Sequence, residues 1–73
     1  MMAQEDLEQL EKNFTYHTPK EDQPRRYAEI RDQGKAFAHA VLVDCPNSRE
    51  RSLALTKIEE ACFWANASIA RNE

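Results

Sequence analysis

In YAEIRDQGKAFAHAV, residues 27–41, apolar or small side chains return at Tyr27, Ile30, Gly34, Phe37 and Val41, at spacings of 3, 4, 3 and 4. That is the period of one face of an α-helix. The rhythm reappears in LALTKIEEACFWANASI, residues 53–69, at Leu55, Ile58, Cys62, Ala65 and Ile69. Two long helices with matching seams and a short connection predict an antiparallel helical hairpin. The small residues Gly34, Cys62 and Ala65 would let the two axes approach closely.

The ends of these helices are marked as well. Pro24 reads as a first-turn proline, with Asp22 or Gln23 as the cap before it. In the connection DCPNS, residues 44–48, Pro46 disfavours helix in the residue before it, so the second helix should end near Asp44. Asn47 and Glu50 have the spacing of a capping box, and Ser48 is the competing cap. Upstream, QEDLEQLEK, residues 4–12, puts Leu7 and Leu10 on one face and predicts a short helix or a frayed arm. The expected fold is all-α, one helical domain with an amino-terminal arm over 1–13, a loop over 14–23, and helices over 24–44 and 47–72.

With 73 residues and one glycine, the chain has room for one small domain that buries a modest share of its surface. Such scaffolds gain stability from disulfides, a metal, oligomerisation or regular packing. Cys45 falls at a turn and Cys62 within a helix, and no signal peptide is expected, so both are expected as reduced thiols in a cytosolic protein. The two cysteines with His17 and His39 lack zinc-ligand spacing, and no metal or other cofactor is expected. No apolar run is long enough to span a bilayer. Leu42, Leu53, Phe63 and Trp64 lie off the seam, and exposed apolar area of that kind marks an interface. A homo-oligomer is therefore expected, the competing possibility being that the first helix folds back over these residues.

Ten lysines and arginines against thirteen aspartates and glutamates give a net charge of −3. Binding to long DNA or RNA rests on a broad basic face, so the balance argues against a nucleic-acid polymer as partner. It leaves room for a small anionic ligand held by local cations. Catalysis finds no foothold: no nucleophile is set beside a base, His39 reads as a surface histidine, the glutamates of KIEEA as a solvated face, and one glycine cannot build a phosphate loop. An enzyme is not expected.

The loop FTYHTPKEDQPRRY, residues 14–27, holds three aromatic rings, a histidine, three cations and two prolines. Tyr16 and His17 present rings beside polar handles, and Lys20, Arg25 and Arg26 bring cations to a helix start that itself favours anions. Rings for bases and cations for phosphates are the means of nucleotide recognition. The alternative is structural, with Phe14 and Tyr27 clamping the loop to the core and the cations paired to Glu21, Asp22 and Glu29. NSRERS, residues 47–52, offers a second basic cluster, open either to a phosphate or to solvent. Asn66, Arg71 and Asn72 close the chain near Trp64. In an antiparallel pair that end lies beside the loop, so the two regions can build one site.

The runs SRERSLALTKIEEACFWANASIARNE and YHTPKEDQPRRYAEIRDQGKAFA together resemble a family of small phage proteins that inhibit CBASS immunity by soaking up cyclic oligonucleotide messengers. The likeness covers residues 14–73. It implies a compact helical protein that assembles as a hexamer in the host cytoplasm, binds cyclic dinucleotides between protomers and in some members cyclic trinucleotides at a three-fold site, and releases them intact. It further implies Tyr16 as a base-stacking ring, Arg31 as the phosphate partner with Lys35 one turn on, and Arg71 directed at the trinucleotide. Gln33 departs from the small hydroxyl residue expected at its position. Together with the loop's own His17, Lys20, Arg25 and Arg26, the expected ligand-binding residues are Tyr16, His17, Lys20, Arg25, Arg26, Arg31, Lys35 and Arg71. The alternative function is a helical protein–protein interaction module.

Overall fold

A computed structural model describes residues 3–73, and within them the chain forms three helices and no strand: α1 (Gln4–Phe14), α2 (Gln23–Asp44) and α3 (Arg49–Asn72). The all-α class is as expected. α1 carries Glu5 and Asp6 in its first turn and Lys12 in its last, charges that suit the two ends of its dipole. Ala3 N–H donates to Asp6 Oδ2 at 3.2 Å, giving one orphan amide at the entrance a partner. Phe14 belongs to this helix rather than to the loop, and its ring is 83% exposed. The idea that Phe14 clamps the loop to the core is thereby overturned.

Before α2 the chain reverses through Glu21, whose φ of 49° is in the left-handed region. Asp22 takes the cap position but makes no side-chain cap bond; its carboxylate reaches instead for Arg25 and Arg26. Gln23 opens the helix and is the buried polar residue among those described, 6% exposed. Its Oε1 accepts Lys20 N–H at 3.0 Å, and its Nε2 donates to Glu73 Oε1 at 3.1 Å. Burial of an amide is tolerated because both ends are bonded.

At the other end, Ser48 caps α3, its Oγ accepting Arg51 N–H at 3.1 Å; this settles the choice between Asn47 and Ser48. Asn47 Oδ1 accepts from Arg51 Nη2 at 3.2 Å. Arg51 Nη1 lies 3.5 Å from the Leu42 carbonyl and 3.4 Å from that of Cys45, the last turn of α2, whose carbonyls lack helical partners. Within NSRERS, then, Arg51 fastens the connection rather than standing free for a phosphate.

α2 and α3 meet in reversed order. The start of α2 touches the end of α3 through Arg26 and Glu73, its middle through Ile30 and Cys62, and its end the start of α3 through Arg51. Cys62 Sγ is 3.8 Å from the Ile30 carbonyl, and a methyl group built on Gly34 would run into that sulfur. The glycine leaves room for the Cys62 sulfur where the two helices approach.

The molecule is thin, 48 × 35 × 13 Å, with a radius of gyration of 16.1 Å, against about 11 Å for a compact chain of this length. Its accessible surface is 6036 Å², whereas a compact monomer of this mass exposes about 4,700 Å². Val41 and Ile69 are its buried apolar residues. Phe37, expected in the seam, is 61% exposed; it stands at a groove that it lines with Ala54, Ile58 and Ala61. Leu42, Leu53, Phe63 and Trp64 are exposed too; α1 touches α3 but leaves each of them substantially open.

Candidate functional site

A cavity of about 440 Å³ forms where the end of α1, the following loop, the first turns of α2 and the last turns of α3 converge. Lys12 comes from α1, His17 from the loop, Tyr27 and Arg31 from α2, and Phe63, Asn66, Ala67, Ala70 and Arg71 from α3. Helical geometry places Tyr27 and Arg31 one turn apart, and Phe63, Ala67, Ala70 and Arg71 along one stripe. The chain has thirteen carboxylate side chains, yet none lines this cavity.

Each polar group has a definite setting. His17 Nε2 lies 3.1 Å from the Lys12 carbonyl; a carbonyl only accepts, so Nε2 carries the hydrogen and donates it, tying the loop to the end of α1. Arg71 places its guanidinium carbon 5.8 Å from the centroid of the Trp64 ring, which stands edge-on to Phe63 at 5.2 Å and 82°. A guanidinium resting on a ring keeps its N–H groups free at the edge for an anion. Among the described residues, neither Arg31 nor Arg71 is ion-paired. Asn66 Oδ1 is buried without a hydrogen-bond partner, an acceptor that a ligand N–H would satisfy. Arg71 also lines a smaller hollow of about 230 Å³ with Gln9, Trp64, Ser68 and Asn72, so it stands between two recesses.

Other cations are already occupied. Arg26 grips Glu73 with two bonds of 2.8 and 2.6 Å and reaches Asp22 at 3.5 Å. The bond from Arg26, and after it the one from Gln23, lowers the Glu73 carboxyl to about 2, while the same carboxylate raises the Arg26 pKa above its ordinary value. Arg25 lies 3.6 Å from Asp22 and 3.5 Å from Glu29 on the exposed side. The structural alternative for these loop cations thus holds for Arg25 and Arg26 with Asp22 and Glu29.

The eight residues expected to bind ligand therefore divide. His17, Arg31 and Arg71 line one cavity; Lys20 and Lys35 are exposed outside its lining, and Tyr16, 82% exposed, projects beyond it. Lys12 and Phe63 were not anticipated in the site. Lys12 is a cation in the last turn of the first helix, and that position next to the loop was the available signal.

A family model described as Acb2/Tad1, hairpin domain, matches residues 6–70. No curated protein and no solved structure matches the chain. The match spans most of the chain, including α2, α3 as far as Ala70 and all of the cavity lining except Arg71. The chain belongs to the Acb2/Tad1 hairpin family, the anti-CBASS sponges for cyclic oligonucleotides.

Proposed function

We propose that this chain binds cyclic oligonucleotide second messengers through the cavity of Lys12, His17, Arg31 and Arg71 and holds them without cleavage, as a phage inhibitor of CBASS signalling in the host cytoplasm. The observation that carries this reading is a cation-lined, carboxylate-free cavity in a chain of net charge −3. Unbalanced positive charge at a concave site attracts a multiply charged anion, and the phosphates of a cyclic dinucleotide supply one. The free fork of Arg71 and the guanidinium of Arg31 suit phosphate oxygens. Asn66 Oδ1 suits an amino or imino group on a base edge.

Tyr16 enters from a second copy. Its exposed ring lies outside the cavity of its own chain, and a cyclic dinucleotide has an approximate two-fold axis, so paired protomers can treat each half alike. Stacking is worth about 1–3 kcal/mol per base and a hydrogen bond to a charged group about 1.5–3 kcal/mol. Two of each leave ample attraction for nanomolar binding after ordering losses. The assembly is a homo-hexamer, and the second recess beside Arg71 is where a cyclic trinucleotide would lie. Lys20 and Lys35 act at longer range, while Arg25 and Arg26 shape the loop.

The test is to equilibrate the protein with cyclic di- and trinucleotides, remove free ligand, denature the complex and analyse what is released. Unchanged ligand in stoichiometric amount is the expected result. Failure to retain any member of the panel would overturn the reading, and linear product appearing with time would replace sequestration by cleavage. An interaction module for another protein is the second reading, favoured by the exposed Phe37, Phe63 and Trp64; it predicts retention of no nucleotide.

A further inference from the structure

The face of α3 turned away from the cavity bounds a different feature. Phe63, Ala67 and Ala70 face the cavity, while Ala54, Ile58, Ala61 and Ala65 lie about half a turn around the helix and face a groove of about 710 Å³ between α3 and α2. The groove is apolar along its floor, at Ile30, Gly34, Ile58 and Cys62, and Phe37 stands 61% exposed at one side. Its charged lining residues are one acid on α2, Glu29, and one base on α3, Lys57; the remaining polar one is Gln33.

The positions of these three follow from the pairing of the helices. Cys62 lies against Ile30 and Gly34, and the helices run in opposite directions. Lys57, five residues before Cys62, is therefore level with the neighbourhood of Phe37. Glu29 lies about 12 Å from that level at 1.5 Å per residue, and Gln33 falls midway.

We infer that this groove is the contact between two copies of the chain related by a two-fold axis at Gln33. Such an axis brings Lys57 of the second copy onto Glu29, and Glu29 of the second copy onto Lys57, which is the reciprocity an isologous interface requires. At the axis the two Gln33 amides meet, and an amide with both donor and acceptor is complementary to itself. The internal partners of the two charges compete weakly: Glu29 meets Arg25 at 3.5 Å and Lys57 meets Glu60 at 3.5 Å, both pairs exposed. The chain exposes 6036 Å², a surplus of about 1,400 Å² over a compact monomer, where a standard interface takes about 800 Å² from each partner. A second copy of the same thin molecule is thus an adequate cover for the groove. The inference rests on the proposed assembly of copies and names the face that makes it.

Sedimentation of the full chain tests it with Glu29→Lys, Lys57→Glu and the double exchange, with circular dichroism reporting helix content. The expected result is a multimeric parent, single variants of smaller mass whose association is weakened at least tenfold, and recovery of the parent mass in the double variant. Since each copy of that variant carries the same pair with signs exchanged, its recovery also excludes misfolding as the cause. A multimeric parent whose single variants keep the same mass overturns this face and leaves the assembly intact. A parent that is monomeric throughout overturns the assembly as well.

Discussion

The two faces of α3 differ in how charge is balanced. On one, Lys12, His17, Arg31 and Arg71 converge with no carboxylate among them; on the other, Glu29 and Lys57 flank an apolar groove in equal number. An excess of one sign is complementary to a mobile ion of the other sign. A balanced pair set apart on an apolar surface is complementary to its own rotated copy. One helix can serve both because its two stripes are about half a turn apart, so ligand and partner do not compete for the same side chains.

The largest expected effect comes from inverting the charge on the cavity side. Arg31→Glu removes charge-assisted bonds and adds repulsion, and should weaken cyclic dinucleotide binding by about 3 kcal/mol or more, over a hundredfold. Calorimetry gives the affinity, and sedimentation should show an unchanged assembly. A variant that binds normally would erase the distinction between the faces. Tyr16→Ala should cost about 1–3 kcal/mol of affinity, one stacked base per ring. An unaffected affinity would confine the site to a single chain.

Next comes the packing that holds both faces in place. Gly34→Ala drives a methyl group into Cys62 Sγ, an overpacking worth about 1–3 kcal/mol, partly offset by the roughly 1 kcal/mol that alanine gains over glycine in a helix. Thermal unfolding should show a net loss near ~1 kcal/mol, recovered on adding Cys62→Ala. No loss would mean that the sulfur turns aside freely.

The smallest effect concerns Glu73→Gln. The carboxyl is lowered to about 2 from an unfolded value of 4.5, so its contribution to stability is complete above 4.5 and fades as pH falls toward 2. The variant should melt below the parent at neutral pH, and the gap should close over that acid range. Partial exposure keeps the effect small. A gap that stays constant with pH would show that Glu73 contributes packing rather than charge.

Much of this was legible in the chain because helices repeat locally. The 3 and 4 spacing of Tyr27 to Val41 and of Leu55 to Ile69, the first-turn Pro24 and Pro46 after Asp44 mark long helices without tertiary information. Arg31, Arg71 and His17 could be named from the sequence as candidates, the two arginines through resemblance, and the structure places all three in the lining of one cavity. What could not be read depends on partners far along the sequence. Arg26 is taken by Glu73, 47 residues away, and Arg51 by the carbonyls of Leu42 and Cys45. No local pattern distinguishes a cation so engaged from a free one. Phe37 kept the seam's rhythm but faces Ala54 and Ala61 across the groove, because periodicity gives a side chain's direction and not what fills the space it meets.

The most direct measurement of the central claim is the melting temperature of the full chain across a concentration series of a cyclic dinucleotide, with the Arg31→Ala, Arg71→Ala double variant run alongside. Binding to the folded state alone raises the melting temperature continuously with ligand. The account predicts that rise for the parent and its near loss in the double variant. A parent whose melting temperature stays flat, or a double variant that rises equally, would contradict it.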